Sequence, residues 1–437
     1  MAEGRPSRKA AVTMYRTARI GSFALPWRAV EWWGAGIALY LQTGAVGGLG
    51  LRVALLPAFA VTAGLLAANF VQIGLVLRRS SLATFLLLAL PFLSVAWSTS
   101  GSLSLLRAIG LTLSMALAYL LACRFTPRQL LLLVAAVLFP GLAGSLVMLA
   151  IAPSAASMPD GTAHGLFLHK NILGWHAAMA VFVGMTLTID AVASWRIGIV
   201  LAVIGVASLV ASGSVTALFA VVVAIGLTLF YSAFKRLHGA GRVLLVLLTL
   251  QASAAAYVVG WEIVAPSLEA LGKDTTLTGR VPMWQLADEA IEQQPLLGYG
   301  FQAFWSEGSG AGWKIRARLN WNTPNAHNGF REVLLAFGIA GFLPFMYMII
   351  QALRRAAHLH VSAPDESWRW LNVLLGMVIA MNFTESIFYT PYSSLFIIFM
   401  AAVLMVTVRE PDFYAKQKPG ELGPINVVLP SGSLGAG

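Results

Sequence analysis

Long apolar runs separated by short polar breaks dominate the chain. They fall at about residues 31–49, 52–77, 82–98, 103–123, 129–151, 172–193, 195–211, 214–233, 243–264, 328–351, 369–390 and 392–408. A helix needs about 20 consecutive apolar residues to cross a bilayer, and these runs have that length. Barrel strands would instead alternate apolar and polar positions over about ten residues. The runs are apolar all round, so the pattern predicts an all-α polytopic membrane protein of about twelve transmembrane helices.

Two polar interruptions stand out, from about Pro153 to Asn171 and from about Pro266 to Asn328. A connection as long as the second usually carries structure or function of its own. Within it, Thr278 can cap a helix, Pro282 suits a first turn and Pro295 a stop, with Trp284, Ala287 and Ile291 on one face. Asp288, Glu289 and Glu292 fall mostly off that face, giving an amphipathic helix able to rest on the membrane or on the bundle. The chain divides into a basic N-terminal segment (1–28), a membrane domain (29–410) containing loop 266–328, and a tail (411–437) rich in Pro, Gly and Ser that is expected to be mobile.

Charge orients the helices. The chain is 58% hydrophobic and 11% charged, against about 25% charged in soluble domains. With the N-terminus inside, roughly twenty of the 29 basic residues fall in inner segments. These include Arg78 and Arg79, Arg124 and Arg128, Arg196, Lys235, Arg236, Arg242, Arg354, Arg355, Arg369 and Arg409. Such alternation is the positive-inside pattern and puts both termini in the cytoplasm. It also accounts for the net charge of +11 without nucleic acid, which would gather the cations on one face. Cys123 is the only cysteine, so an intrachain disulfide is excluded, and its place at an inner helix end predicts a small buried thiol. No cleavable signal peptide is evident.

Candidate chemistry lies at the outer ends of helices. In Asn325-Ala-His-Asn-Gly-Phe-Arg-Glu332, a helix starting near Asn328 puts Arg331 four residues after His327 and Glu332 four after Asn328, so these pairs can share faces. A histidine side chain can serve as a proton acceptor, which makes His327 a candidate base; the plain alternative is a polar helix start with an Arg reaching for the interface. In His164-Gly-Leu-Phe-Leu-His-Lys-Asn171, Lys170 and Asn171 sit at a helix entry that favours an anion, or form an ordinary basic boundary. His169 and His176 read as packing or interface residues. Arg280 has a planar fork suited to diphosphate, or is a solvated surface Arg. Arg107 and Glu385 are charges inside apolar surroundings, expected to face a cavity or each other. Ser212-Gly-Ser-Val-Thr216 predicts a tight helix junction, and Lys314, Arg316 and Arg318 a solvated basic run that can meet anionic groups. No metal-ligand spacing and no nucleotide-binding loop is present, so neither a metal nor another cofactor is expected.

Several of these motifs together resemble the O-antigen ligase and polymerase superfamily. They are Thr278-Gly-Arg280 with Trp284, Pro295-Leu-Leu-Gly-Tyr-Gly300, Ala326-His-Asn-Gly329 and Glu332-Val-Leu-Leu-Ala-Phe-Gly-Ile-Ala-Gly341. Gly165-Leu-Phe-Leu-His-Lys-Asn-Ile-Leu-Gly174, and Trp97-Ser98 followed by Arg107, are similar to the exopolysaccharide-polymerase branch. The resemblance covers roughly residues 30–408.

It implies a GT-C-type glycosyltransferase of the bacterial inner membrane. Such an enzyme passes a glycan from undecaprenyl diphosphate to a sugar hydroxyl on the periplasmic side, without metal and with inversion. His327 would be the base, and Arg280, Lys170, Arg331 and Arg107 would meet the diphosphate. Asn171, Asn328, Glu332 and Glu385 would support them. The acceptor is another lipid-linked repeat unit in a polymerase and the lipid A core in a ligase. The Lys170-Asn171 segment favours the polymerase. A polysaccharide transporter is the alternative of another class; it would show internal repeats and broken helices at mid-membrane, and no clear repeat is seen.

Overall fold

A computed structural model describes residues 17–20, 23–46, 51–79, 82–190, 192, 194–259, 279–363 and 367–417. A short antiparallel hairpin, β1 (Thr17–Ile20) and β2 (Phe23–Pro26), pairs Thr17 with Pro26 in the N-terminal segment. The longer elements are helices: α1 (Trp27–Tyr40), α2 (Leu51–Ala68), α3 (Phe70–Arg79), α4 (Leu82–Leu93), α5 (Gly101–Arg124), α6 (Pro127–Ile151), the single turn α7 (Pro153–Ala156), α8 (Lys170–Ile189) and α9 (Trp195–Ser212). Then follow α10 (Val215–Arg236), α11 (Ala240–Val259), α12 (Arg280–Gln293), α13 (Gly310–Leu319), α14 (Gly329–Ser362), α15 (Trp368–Met381) and α16 (Ser394–Gln417).

Among the described residues, six helices have the length and apolar composition to cross a membrane: α5, α6, α8, α9, α10 and α14. Shorter apolar helices accompany them, and the whole is a multi-pass membrane protein. α16 is its central rod. From Leu395 to Val406 every residue is buried, so the helix is apolar all round rather than striped. α9 and α10 lie at the edge, where Val203, Val210, Leu218, Phe219 and Val222 face outward as an apolar surface.

The apolar runs fold as helices, with instructive departures. The run at 52–77 breaks at Asn69, whose side-chain amide donates to the Leu65 carbonyl at 2.8 Å and interrupts the helix. The run at 369–390 stops at Met381 and gives way to a polar segment, 382–393. α16 continues to Gln417, through the first part of the tail that was expected to be mobile. The Ser212–Thr216 junction forms as expected, with Gly213 left-handed and the Ser214 hydroxyl capping α10. Cys123 is half-buried rather than fully buried. The Thr278 cap lies outside the described residues; α12 starts after Gly279.

α14 is kinked. Gly338 has φ 57° and ψ −159°, a region open essentially to glycine alone. The break turns the backbone of α14 toward the preceding loop. Tyr299 N–H donates to the Leu335 carbonyl (2.7 Å), Gly300 N–H to Ala336 (3.1 Å), and the N–H groups of Ile339 and Ala340 to Pro295 and Leu296 (2.8 and 3.1 Å). Backbone groups released by the kink are thus paired again, as an apolar setting demands. The same loop is fixed from its other side. Trp97 Nε1 donates to the Leu297 carbonyl (2.9 Å), Thr99 N–H to Tyr299 (3.0 Å) and Ser104 Oγ to Phe301 (2.8 Å). A Cβ at position 338 would sit 2.3 Å from the Leu296 carbonyl carbon. Gly338→Ala is therefore expected to destabilise by at least about 1–3 kcal/mol from backbone strain, with the clash added. Thermal unfolding in detergent checks this.

Helix ends of two kinds gather at the two ends of the bundle. At one, Arg124 meets Glu31 at 2.9 Å, Arg128 donates to the Val192 carbonyl, and Arg369 binds Asp190 and Ser232. These arginines tie together the start of α1, the end of α5, the start of α6, the ends of α8 and α10, and the start of α15. The other end carries the candidate site.

Candidate active site

The site is built where the starts of α8, α12 and α14 meet the polar segment after α15. Asn382 shapes that segment. It is fully buried, its Oδ1 accepts from Ile387 and Phe388 N–H (3.0 and 2.9 Å), and its Nδ2 donates to Val378 (2.7 Å). The tight turn this makes points Glu385 inward, with only 2% of its side chain exposed.

Glu385 is the centre. Its Oε1 accepts from Arg280 Nη2 at 3.0 Å and from Asn171 Nδ2 at 3.2 Å, and its Oε2 lies 3.3 Å from His327 Nδ1. Arg280 also donates from Nη1 to the Thr384 carbonyl. One carboxylate thus gathers side chains from three other elements, and all of its close partners donate. A buried charge is tolerated only when paired in this manner. Because a carboxylate accepts, the Nδ1 of His327 carries the hydrogen of this bond, which leaves Nε2 as the acceptor atom of the neutral ring.

His327 precedes α14 rather than lying on it. Asn328 is the cap: its Oδ1 accepts from Phe330 and Arg331 N–H (3.1 and 3.0 Å), and its Nδ2 donates to the Phe383 carbonyl (3.0 Å). Gly329 N–H reaches the Asn382 and Glu385 carbonyls at 2.8 and 2.9 Å. Any Cβ there would collide with Asn382 Oδ1 at 2.0 Å, so only glycine permits this approach. His327 itself has φ 47°, an uncommon left-handed conformation. Neighbouring bonds hold it. Its N–H donates to Asn325 Oδ1 (2.9 Å), the Ala326 carbonyl accepts from Trp284 Nε1 (2.8 Å), and Glu332 Oε1 accepts from Ala326 N–H (2.5 Å) and Trp305 Nε1 (2.8 Å). The Trp321 ring stacks on the imidazole, 5.6 Å between centroids and 11° from parallel.

These placements correct the pairing expected from helical spacing. Arg331 does not share a face with His327, because the helix begins only at Gly329. Its guanidinium instead forms a two-pronged bond to Asp288 on α12 (2.8 and 2.7 Å) and lies over the Trp284 ring at 5.1 Å. Asp288, expected to point away, is thereby engaged although 48% exposed. The Glu332 carboxylate bonds to Ala326 N–H and Trp305 Nε1 rather than to the Asn328 side chain. Lys170 pairs at 2.5 Å with Asp160, a carboxylate 51% exposed whose pKa the Lys170 and Thr162 hydrogen bonds hold well below the usual range. Arg107 and Glu385 do not face each other. Arg107 is half-buried on α5, and its charge acts on Tyr392.

His169 belongs to the site more closely than its sequence implied. It caps α8, its Nδ1 accepting from Asn171 N–H at 3.2 Å, which requires the neutral ring. Burial first, then the Lys170 ammonium, keeps its pKa below the ordinary imidazole value, while Glu385 opposes them. His176 lies deeper, stacked on Phe167 and bonded to Ser394 Oγ at 2.8 Å, as a packing residue.

Fold and site together define a multi-pass helical membrane protein with a carboxylate, imidazole and guanidinium cluster at one end of its bundle. Residues 200–346 match the family model described as O-antigen ligase (Wzy_C), a stretch that includes Arg280 and His327. The exopolysaccharide production protein ExoQ of Rhizobium meliloti (strain 1021) is 30% identical over 212 residues, which are 44% of this chain and 47% of that protein. The chain therefore matches about half the length of this curated relative. These matches bear out the resemblance to the O-antigen ligase superfamily and its exopolysaccharide branch.

Proposed function

We propose that the protein is a GT-C-type membrane glycosyltransferase that lengthens exopolysaccharide or O-antigen chains from an undecaprenyl-diphosphate donor. About twelve helices would cross the bacterial inner membrane, with the Glu385 end of the bundle periplasmic and the arginine-rich end cytoplasmic. The observation that carries this reading is the meeting of His327, Arg280 and Asn171 on Glu385.

The chemistry follows from that arrangement. The acceptor hydroxyl attacks the anomeric carbon, and its proton passes to Nε2 of His327. The bond from the anomeric carbon to the diphosphate oxygen breaks, its electron pair leaving on the diphosphate. One displacement inverts the anomeric centre. Arg280, held in the Glu385 cluster, would meet the leaving charge. Lys170 and Arg331 rest on the exposed carboxylates Asp160 and Asp288, which a diphosphate can displace. Asn171 and Asn328 position Glu385 and the start of α14, and Glu332 the backbone before His327. Arg107 would meet the phosphate on the lipid side of the donor.

A ligase that passes the glycan to the lipid A core is the second reading, favoured by the description of the matching family model. Purified protein incubated with defined lipid-linked repeat units, with and without lipid A core, separates the two. Elongation of the repeat units is expected. Transfer to the core alone would favour the ligase, and no transfer to either would end the glycosyl-transfer reading.

A further inference from the structure

The imidazole of His327 is held on two sides. Glu385 lies at Nδ1, 3.3 Å away, and the Trp321 indole stacks against the ring with centroids 5.6 Å apart and 11° from parallel. Among the described residues no hydrogen bond reaches Nε2. Trp321 follows directly from α13, which ends at Asn320 in a left-handed turn. Trp321 N–H donates to the Arg316 carbonyl at 3.1 Å, and Arg316 in turn donates to the Trp305 and Ser306 carbonyls. The indole side chain packs on the small loop core of Met283, Tyr299, Phe304, Ile315 and Ala326. The ring is thus presented by a fixed loop, not by a mobile surface segment.

We propose that Trp321 is a positioning residue for His327. It keeps the imidazole plane aligned with Glu385, so that Nε2 points out as the proton acceptor. It also shares the positive charge that arrives when the acceptor proton lands there. A π face attracts a cation, the more so when desolvated. A parallel indole blocks rotation of the imidazole about χ2, a torsion that is otherwise broad. The strained backbone at His327 makes such a restraint useful, since position 327 is not steadied by a helix of its own. This inference rests on His327 acting as the base.

Two variants test it. Trp321→Leu keeps apolar bulk without a π face, and Trp321→Phe keeps a smaller face. Trp321→Leu is expected to lower kcat by about 3- to 30-fold with KM for the lipid-linked donor unchanged. Trp321→Phe is expected to stay close to wild type. In parallel, protein labelled with 15N-histidine reports the His327 ring nitrogens directly, its signals assigned by their loss in His327→Asn. The wild type should show a single Nδ1-protonated tautomer, Trp321→Phe the same, and Trp321→Leu a mixture. The inference is overturned by a single unchanged tautomer in Trp321→Leu, by a rise in donor KM at constant kcat, or by equal losses in the two variants. Should Trp321→Leu not fold, a tautomer mixture in Trp321→Phe overturns it and a single tautomer supports it. The spectra need no turnover. A protein that transfers no glycan yet shows these tautomer changes would sink the transferase reading and leave the positioning of His327 standing.

Discussion

Replacing His327 with Ala or Asn should lower glycan transfer by about 10²–10⁴-fold, the usual contribution of a positioned general base. Among the described residues the ring makes one side-chain hydrogen bond, to Glu385, and one stacking contact, to Trp321. The folded protein therefore loses little when it is removed. The backbone is the greater concern. At φ 47° an Ala is strained, whereas Asn is among the residues that tolerate this region, and its side chain is too short to take the place of Nε2. If the loss reflects proton transfer, the two variants are equally inactive while Asn melts closer to wild type. If it reflects the loop, activity follows stability and Asn recovers it. Chain-length analysis of the product, beside melting curves in detergent, measures both. Normal product from His327→Asn would remove His327 from the mechanism.

Much of this architecture is legible in the sequence because it depends on local composition. Each apolar run contains a helix among its described residues, since hydrophobicity over about 20 residues is a property of neighbours in the chain. His327 and Arg280 could be nominated from short polar motifs at helix starts. Glu385 and Asn171 could be nominated as well, but not the pairing that gathers them. Glu385 lies 58 positions from His327 and 105 from Arg280, and no periodicity relates residues at such separations. The spacing rule that joined His327 to Arg331 failed for a definite reason. It assumes one continuous helix, and the Asn328 cap begins that helix one residue too late. Trp321 carries no distinguishing mark among the 13 tryptophans. Nor does the kink at Gly338 show in the sequence, because its cause is a loop that bonds to the opened backbone. Asp288 reads as lying off the apolar face of its helix, and only the folded chain sets it against Arg331 and Asp160 against Lys170.

Glu385 offers the sharpest test, because Gln and Ala there should fail differently. Glu385→Gln keeps the shape and one acceptor oxygen. That oxygen is needed by Arg280 and Asn171, which both donate to Oε1. The amide NH2 then faces His327 Nδ1, and two donors cannot share a bond. The ring must shift its hydrogen to Nε2, the atom that has to accept the proton. Activity should fall by as much as about 10⁴-fold with little change in stability, the loss seen where a carboxylate that fixes an imidazole tautomer is made neutral. Glu385→Ala removes both oxygens and leaves a mostly buried guanidinium without its counter-ion, which costs about 3–5 kcal/mol in addition to the activity. A Gln variant that stays folded but inactive, set against an Ala variant that unfolds early, is the expected pair. Substantial activity in Glu385→Gln would mean that the tautomer of His327 does not matter, and that the proton leaves the acceptor by another route. Arg280→Lys probes the same pair from its other side. A single ammonium cannot reach both Glu385 and the Thr384 carbonyl as the planar fork does, so activity should drop there as well.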